Sequence, residues 1–138
     1  MLNTPFSPWP SFSQEEISKV SEILLSSKVN YWTGDEGRKF EAEFADFFGC
    51  SHAVAVSNGT AALHLNAIAL DIKPGDKVIT TPITFVASAN CVRYCGGEVV
   101  FADIDKESYL LDLQSVRMLL ENDTKREIKG IIPVNFAG

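Results

Sequence analysis

The sequence has no apolar run near the roughly 20 residues needed to cross a bilayer, so an integral membrane protein is not expected. Its start, MLNTPFSPWP, has no basic segment followed by an apolar stretch, which argues against a secretory signal. No basic cluster stands out. Acids outnumber bases 18 to 12, giving a net charge of −6, so no nucleic-acid partner is expected. Cysteine is scarce: Cys50, Cys91 and Cys95 are an odd set, which argues against a disulfide framework and for the cytoplasm. Cys91 and Cys95 share a helix face, but no second pair of ligands follows at zinc spacing, and His52 and His64 lie apart from them. No metal is expected, and the thiols read as buried small hydrophobes. Neither a Walker loop nor a G-x-G-x-x-G fingerprint is present. Internal repeats, low-complexity tracts and interdomain linkers are also missing.

What is present suits one α/β core. The 138 residues are 46% hydrophobic and 22% charged, within the globular range. Ser13 and Glu16 form a capping-box pattern ahead of Ile17, Val20, Ile23 and Leu24, predicting a helix that ends near Ser26 and Ser27. Lys28 to Gly37 reads as a loop. Phe40, Phe44, Phe47 and Phe48 predict a second helix stopped by Gly49, and their stripe reads as core. From His52 the elements alternate. Strands are expected at Ala53–Val56, Lys77–Thr81, Val99–Ile104 and Gly130–Val134. Helices are expected at Thr60–Leu70, Thr84–Tyr94 and after Asp112, with a turn at Lys73–Asp76. Near-continuous apolar strands alternating with helices imply a largely parallel sheet covered on both faces. Residues 1–50 read as a helical lead-in and 51–138 as an α/β domain.

The segment Ser57-Asn58-Gly59-Thr60-Ala61-Ala62-Leu63 is the candidate anion site. A strand ends there, Gly59 permits close approach, and a helix begins whose free N–H groups and dipole suit a phosphate. A tight turn with a helix cap explains the same residues equally well. Thr81-Pro82-Ile83-Thr84-Phe85 closes the next strand, where Phe85 would stack on a flat ligand or join the core. Asn90, polar within the following helix, fits surface exposure as well as ligand contact.

Six blocks then carry a resemblance: Gly34 with Phe40-Glu41 and Phe44-Ala45; Ser57 to Leu63; Pro74-Gly75-Asp76-Lys77-Val78-Ile79; Thr84-Phe85-Val86-Ala87-Ser88-Ala89-Asn90; Phe101-Ala102-Asp103-Ile104-Asp105; and Ile131-Ile132-Pro133-Val134-Asn135-Phe136-Ala137-Gly138. In this order and spacing, Tyr31 to Gly138 resembles the N-terminal half of the nucleotide-sugar aminotransferases. These are the DegT/StrS class of fold type I pyridoxal-phosphate enzymes. The resemblance implies a three-layer α/β/α fold with a mostly parallel sheet, like the N-terminal half of their large domain. It implies pyridoxal 5'-phosphate as cofactor, its phosphate on Gly59, Thr60 and Ala61 and its ring against Phe85. It implies that Tyr31, Trp32 and Thr33 lie near a sugar-nucleotide site, often in a dimer. The implied reaction moves an amino group, usually from glutamate, to a nucleotide-linked keto sugar. The 4-keto class is favoured, for surface polysaccharide or glycan synthesis.

The resemblance also marks what this sequence lacks. The family's Schiff-base lysine and pyridine-pairing acid lie beyond the segment matching Gly138, and none of the eight lysines, from Lys19 to Lys129, matches the lysine motif. Asp103 and Asp105 match strand-end acids instead. The expectation is a truncated chain, without catalytic residues and inactive alone, whose incomplete sheet exposes apolar surface and favours association. A relative that dehydrates sugars through a histidine in the lysine's place fits the same half. Two other classes fit parts of the sequence: a flavodoxin-like electron carrier, whose phosphate loop should follow the first strand, and a non-catalytic interaction module.

Overall fold

The computed structural model describes residues 8–136. The N-terminal MLNTPFS and the final Ala137-Gly138 of the last sequence block lie outside the described residues. The chain divides into two compact units, one ending at Ala55 and one starting at Val56.

The first unit holds α1 (Gln14–Ser26) and α2 (Glu36–Phe48). The capping box forms: Ser13 Oγ accepts from the Glu16 N–H at 3.2 Å, and Glu16 returns a carboxylate to the Ser13 N–H at 2.6 Å. Gly49 ends α2 in the left-handed conformation that glycine adopts without strain. The phenylalanine stripe corrects the sequence reading. Phe44 and Phe48 meet with centroids 4.5 Å apart, and Phe40 lies 5.6 Å from Phe44, yet all four rings remain exposed. Within this unit they cover one another and not a second layer. Only Ala45 of α2 is buried, and α1 buries no residue.

The second unit contains α3 (Gly59–Ala69), β1 (Lys77–Thr80), α4 (Ala87–Tyr94), β2 (Glu98–Phe101), α5 (Leu113–Asn122) and β3 (Ile128–Ile131). The strands form a parallel sheet in the order β2-β1-β3. Side chains alternate across β1. Val78 packs with Ala67 of α3 and with Cys91 and Val92 of α4. Ile79 packs with Ala102 and with Val116 of α5 on the other face. This is the expected three-layer α/β/α arrangement. Thr80 is fully buried and satisfied, its hydroxyl donating to the Ile132 carbonyl at 2.9 Å.

Several expected boundaries move. Ala53–Val56 is not a strand: no described strand pairs with it, and Val54 is 75% exposed. Helix α4 begins three residues later than expected and leaves Thr84 to Val86 in a loop. Strand β2 starts at Glu98 and stops at Phe101, while Ile104 makes an isolated antiparallel bridge to Leu111. Strand β3 begins two residues early and ends at Ile131. Among the thiols, Cys91 is buried, Cys95 half-buried and Cys50 exposed. Burial pushes the Cys91 thiol above its ordinary range, as for an inert core cysteine.

Asp123 starts β3. Its carboxylate accepts from the Glu127 N–H at 3.0 Å and the Ile128 N–H at 2.8 Å, and these bonds hold it below its ordinary value of 3.8. A depressed carboxylate contributes stability that is complete above its unfolded value and is lost as pH falls through the folded one. Denaturant unfolding across the acid range should therefore show stability falling below about pH 4, with a shallower fall in Asp123→Ala. Parallel acid limbs in the two proteins would contradict this role.

Candidate functional site at the carboxyl edge of the sheet

Helix α3 delivers the chain through the Lys73–Asp76 turn to the start of β1, and α4 leads from the end of β1 back to the start of β2. Both helices therefore run against the strands, and their N-termini face the carboxyl edge, where open α/β sheets bind ligands. His64 and Tyr94 pack edge to face across the two helices at 5.3 Å.

At the start of α3, Asn58 is the N-cap, and its Oδ1 accepts from the Ala61 N–H at 2.9 Å. Of the three expected phosphate ligands, Ala61 thus has its backbone donor engaged by the cap. The Gly59 and Thr60 N–H groups have no hydrogen-bond partner among the described residues. A Cβ built on Gly59 would meet no atom within 4 Å. Gly59 does not have positive φ, so no local strain demands glycine here. What remains is two free donors at the positive end of a helix, the kind of site that suits an anion. The cap leaves room for the anion reading, since Asn58 uses only the Ala61 donor.

Phe85 corrects the core alternative: it is 75% exposed, in the loop between β1 and α4. That loop is fixed on both sides of the ring. Thr81 Oγ1 accepts from the Ile83 N–H at 3.2 Å, the Thr84 and Ser88 hydroxyls meet at 2.7 Å, and the Ser88 N–H donates to the Phe85 carbonyl at 3.0 Å. Asp103 stands exposed just beyond β2, at the same edge. Asp105 instead organises its own turn, accepting from the Ser108 and Glu107 N–H groups, which lower its pKa. Asn90 is half-buried in α4.

Tyr31, Trp32 and Thr33 belong to the first unit. Asn30, which sequence reasoning passed over, sets their loop: its Oδ1 accepts from the Trp32 N–H, the Thr33 N–H and the Thr33 hydroxyl at 3.0, 3.0 and 3.1 Å. Such a turn is written in the Asn residue type, which often bonds backbone N–H groups two residues on. Thr33 therefore has its hydroxyl proton directed inward. Trp32 is 85% exposed, its ring perpendicular to that of Tyr31.

Lys39, Lys73 and Lys77 are held above the usual lysine range by hydrogen-bonded pairs with Glu36, Asp71 and Glu127, opposite to the lowered pKa that a nucleophilic amine needs. The flavodoxin-like alternative also loses its basis: two helices and no described strand precede the anion turn.

The start of α3, with two free backbone donors, and the exposed ring of Phe85 both follow the α/β layout, in which helix N-termini and loops lie at the carboxyl edge of a parallel sheet. The sequence pattern of the DegT/DnrJ/EryC1/StrS aminotransferase family matches residues 10–138. The chain belongs to this family. An aminotransferase from Psychrobacter cryohalolentis superposes with a TM-score of 0.88 at 47% identity, over 97% of this chain and 33% of that one. A 3-amino-5-hydroxybenzoic acid synthase gives 0.85 at 33% identity, over 97% and 34%. A Streptococcus pneumoniae protein described as a sugar aminotransferase, solved in apo, PMP and PLP forms, gives 0.84 for its apo form at 31% identity, over 99% and 32%. The chain spans about a third of the length of the structures it matches.

Gly34 and Gly59 make a matched test. A Cβ on buried Gly34 would lie 2.3 Å from the Lys28 carbonyl oxygen, whereas one on Gly59 touches nothing. Gly34→Ala is expected to destabilise by about 1–3 kcal/mol through overpacking, and Gly59→Ala by well under about 1 kcal/mol. Urea titration of both variants measures the difference; equal costs would contradict the packing described for the loop.

Proposed function

We propose that this chain is the cofactor-phosphate and ring-stacking part of a pyridoxal-phosphate-dependent sugar aminotransferase. The observation that supports this most is the start of α3, where the Gly59 and Thr60 N–H groups have no partner among the described residues and a Cβ on Gly59 meets no atom beyond its own helix and chain neighbours. The residues present fit the group. Gly59 and Thr60 would hold its phosphate, with Ala61 tying the turn to Asn58, and the exposed ring of Phe85 would lie against its pyridine face. When bound, the cofactor supplies the electron sink that lets an amino group leave one carbon and join another. The residues here anchor and orient it.

The substrates follow as further parts of the proposal: glutamate as donor and a nucleotide-linked keto sugar, 4-keto by preference, as acceptor, for surface glycan synthesis. The Tyr31-Trp32-Thr33 loop would take the sugar nucleotide. Residues 1–50 would act as lead-in and 51–138 as part of the cofactor-binding domain, in a cytoplasmic homodimer; three free cysteines suit a reducing compartment. No described helix is long and apolar enough to cross a membrane. Proton transfer requires an amine that the eight lysines here do not provide, so the isolated chain is expected not to transaminate. Turnover of a keto-sugar nucleotide with glutamate by the chain alone would overturn that part.

The cofactor site is tested by equilibrium titration with pyridoxal 5'-phosphate and with phosphate-free pyridoxal. The phosphate ester should bind more tightly. Gly59→Val should weaken it roughly tenfold, equivalent to 1.4 kcal/mol, while the unfolding midpoint stays close to that of the parent. Phe85→Ala should weaken both compounds. Equal affinity for the two compounds, or indifference to Gly59→Val, would contradict the assignment and favour a module without cofactor chemistry.

A further inference from the structure

Glu41 belongs to the Phe40-Glu41 block and lies outside the cofactor site. It lies half-buried on α2, and its two oxygens engage separate parts of the chain. Oε2 accepts from the Tyr31 hydroxyl at 3.1 Å, and Oε1 accepts from the Ala55 backbone N–H at 2.8 Å. One partner is ten residues before it and the other fourteen after. A carboxylate carried by a helix, with each oxygen committed to a donor, is a charge-assisted staple.

The staple fixes an aromatic pair. The Arg38 guanidinium lies 5.0 Å from the Tyr31 ring centroid, and a Cβ on Gly37 would come within 3.1 Å of the same ring. Trp32 meets Tyr31 at a right angle with ring centroids 6.0 Å apart and stays 85% exposed. Asn30 sets the loop backbone, and Glu41 sets the ring on which Trp32 leans.

We propose that Glu41 is a positioning residue for substrate recognition: by anchoring Tyr31 it holds Trp32 as a fixed platform on which the base of a nucleoside diphosphate stacks. This rests on the assignment of the Tyr31-Trp32-Thr33 loop to the sugar nucleotide. Stacking on an exposed aromatic tolerates any base, and pre-fixing the ring removes the ordering cost of binding.

The experiment titrates uridine and thymidine diphosphates into the whole chain and follows the Trp32 indole N–H by NMR, with Trp9→Phe separating the two tryptophans. Amide exchange at Ala55 is read in parallel. Glu41→Ala should speed Ala55 exchange and raise the dissociation constant about fivefold or more, the effect of one side chain losing its order. Tyr31→Phe removes only the hydroxyl and should weaken binding in the same direction, which keeps the test open if Glu41→Ala fails to fold. Glu41→Gln retains an acceptor for Ala55 and a donor for the phenol oxygen, so it should restore binding. Nucleotide affinity that Tyr31→Phe and Glu41→Ala leave unchanged overturns the role of Glu41 alone. A parent chain whose Trp32 signal ignores both nucleotides overturns the loop assignment, and this role with it, even where Ala55 stays protected.

Discussion

Strand β1 is the constraint on which the second unit depends. It is the only described strand with neighbours on both sides, and three of its four residues are buried. Its Lys77 N–H reaches the Glu127 carbonyl at 2.7 Å, while its Ile79 and Thr80 carbonyls accept from Ile132 and Ala102. Because β1 lies in the middle, one of its faces must be covered by α3 and α4 and the other by α5. The connections to its two ends then decide where the N-termini of α3 and α4 lie. The candidate site is a consequence of that geometry: free donors and an exposed ring gather where a parallel sheet ends.

The first unit is organised by polar contacts more than by a core. Asn30 spends one oxygen on three donors, and Glu41 spends two oxygens on residues far apart in sequence. The apolar faces of α1 and α2 stay open, with Phe47 80% exposed. Unsupported apolar helix faces contribute little stability by themselves, since most helical stability in proteins comes from packing. The loop between the helices, tied by Asn30 and Glu41, carries the residues proposed to meet the sugar nucleotide.

What was legible in the sequence was what local chemistry decides. The capping box at Ser13, the stop at Gly49, the Asn58 and Asp112 caps and the Lys73–Asp76 turn all use residues within a few positions of each other. The family was legible in six short blocks taken together, in their order and spacing, across residues 34–138. Features defined by a distant partner were not legible. Ala53–Val56 has strand composition, but a strand exists only through its neighbour, and its Ala55 N–H goes to a side chain instead. The phenylalanines of α2 have core spacing, but burial depends on what lies opposite. Phe85 was ambiguous for the same reason, since an aromatic after a strand can turn inward or stand over the edge. The bonds of Glu41 left no local signal at all.

The proposed function stands on the start of α3 as a phosphate site with Phe85 as its aromatic wall. The most direct measurement is an NMR titration with pyridoxine 5'-phosphate, which has the ring and phosphate of the cofactor but no aldehyde to react with surface lysines. The account predicts the largest amide shifts at Gly59 and Thr60, a smaller one at Ala61, whose N–H is already held by Asn58, and movement of the Phe85 ring signals. Shifts spread over the exposed lysines with Gly59 and Thr60 unmoved would contradict it.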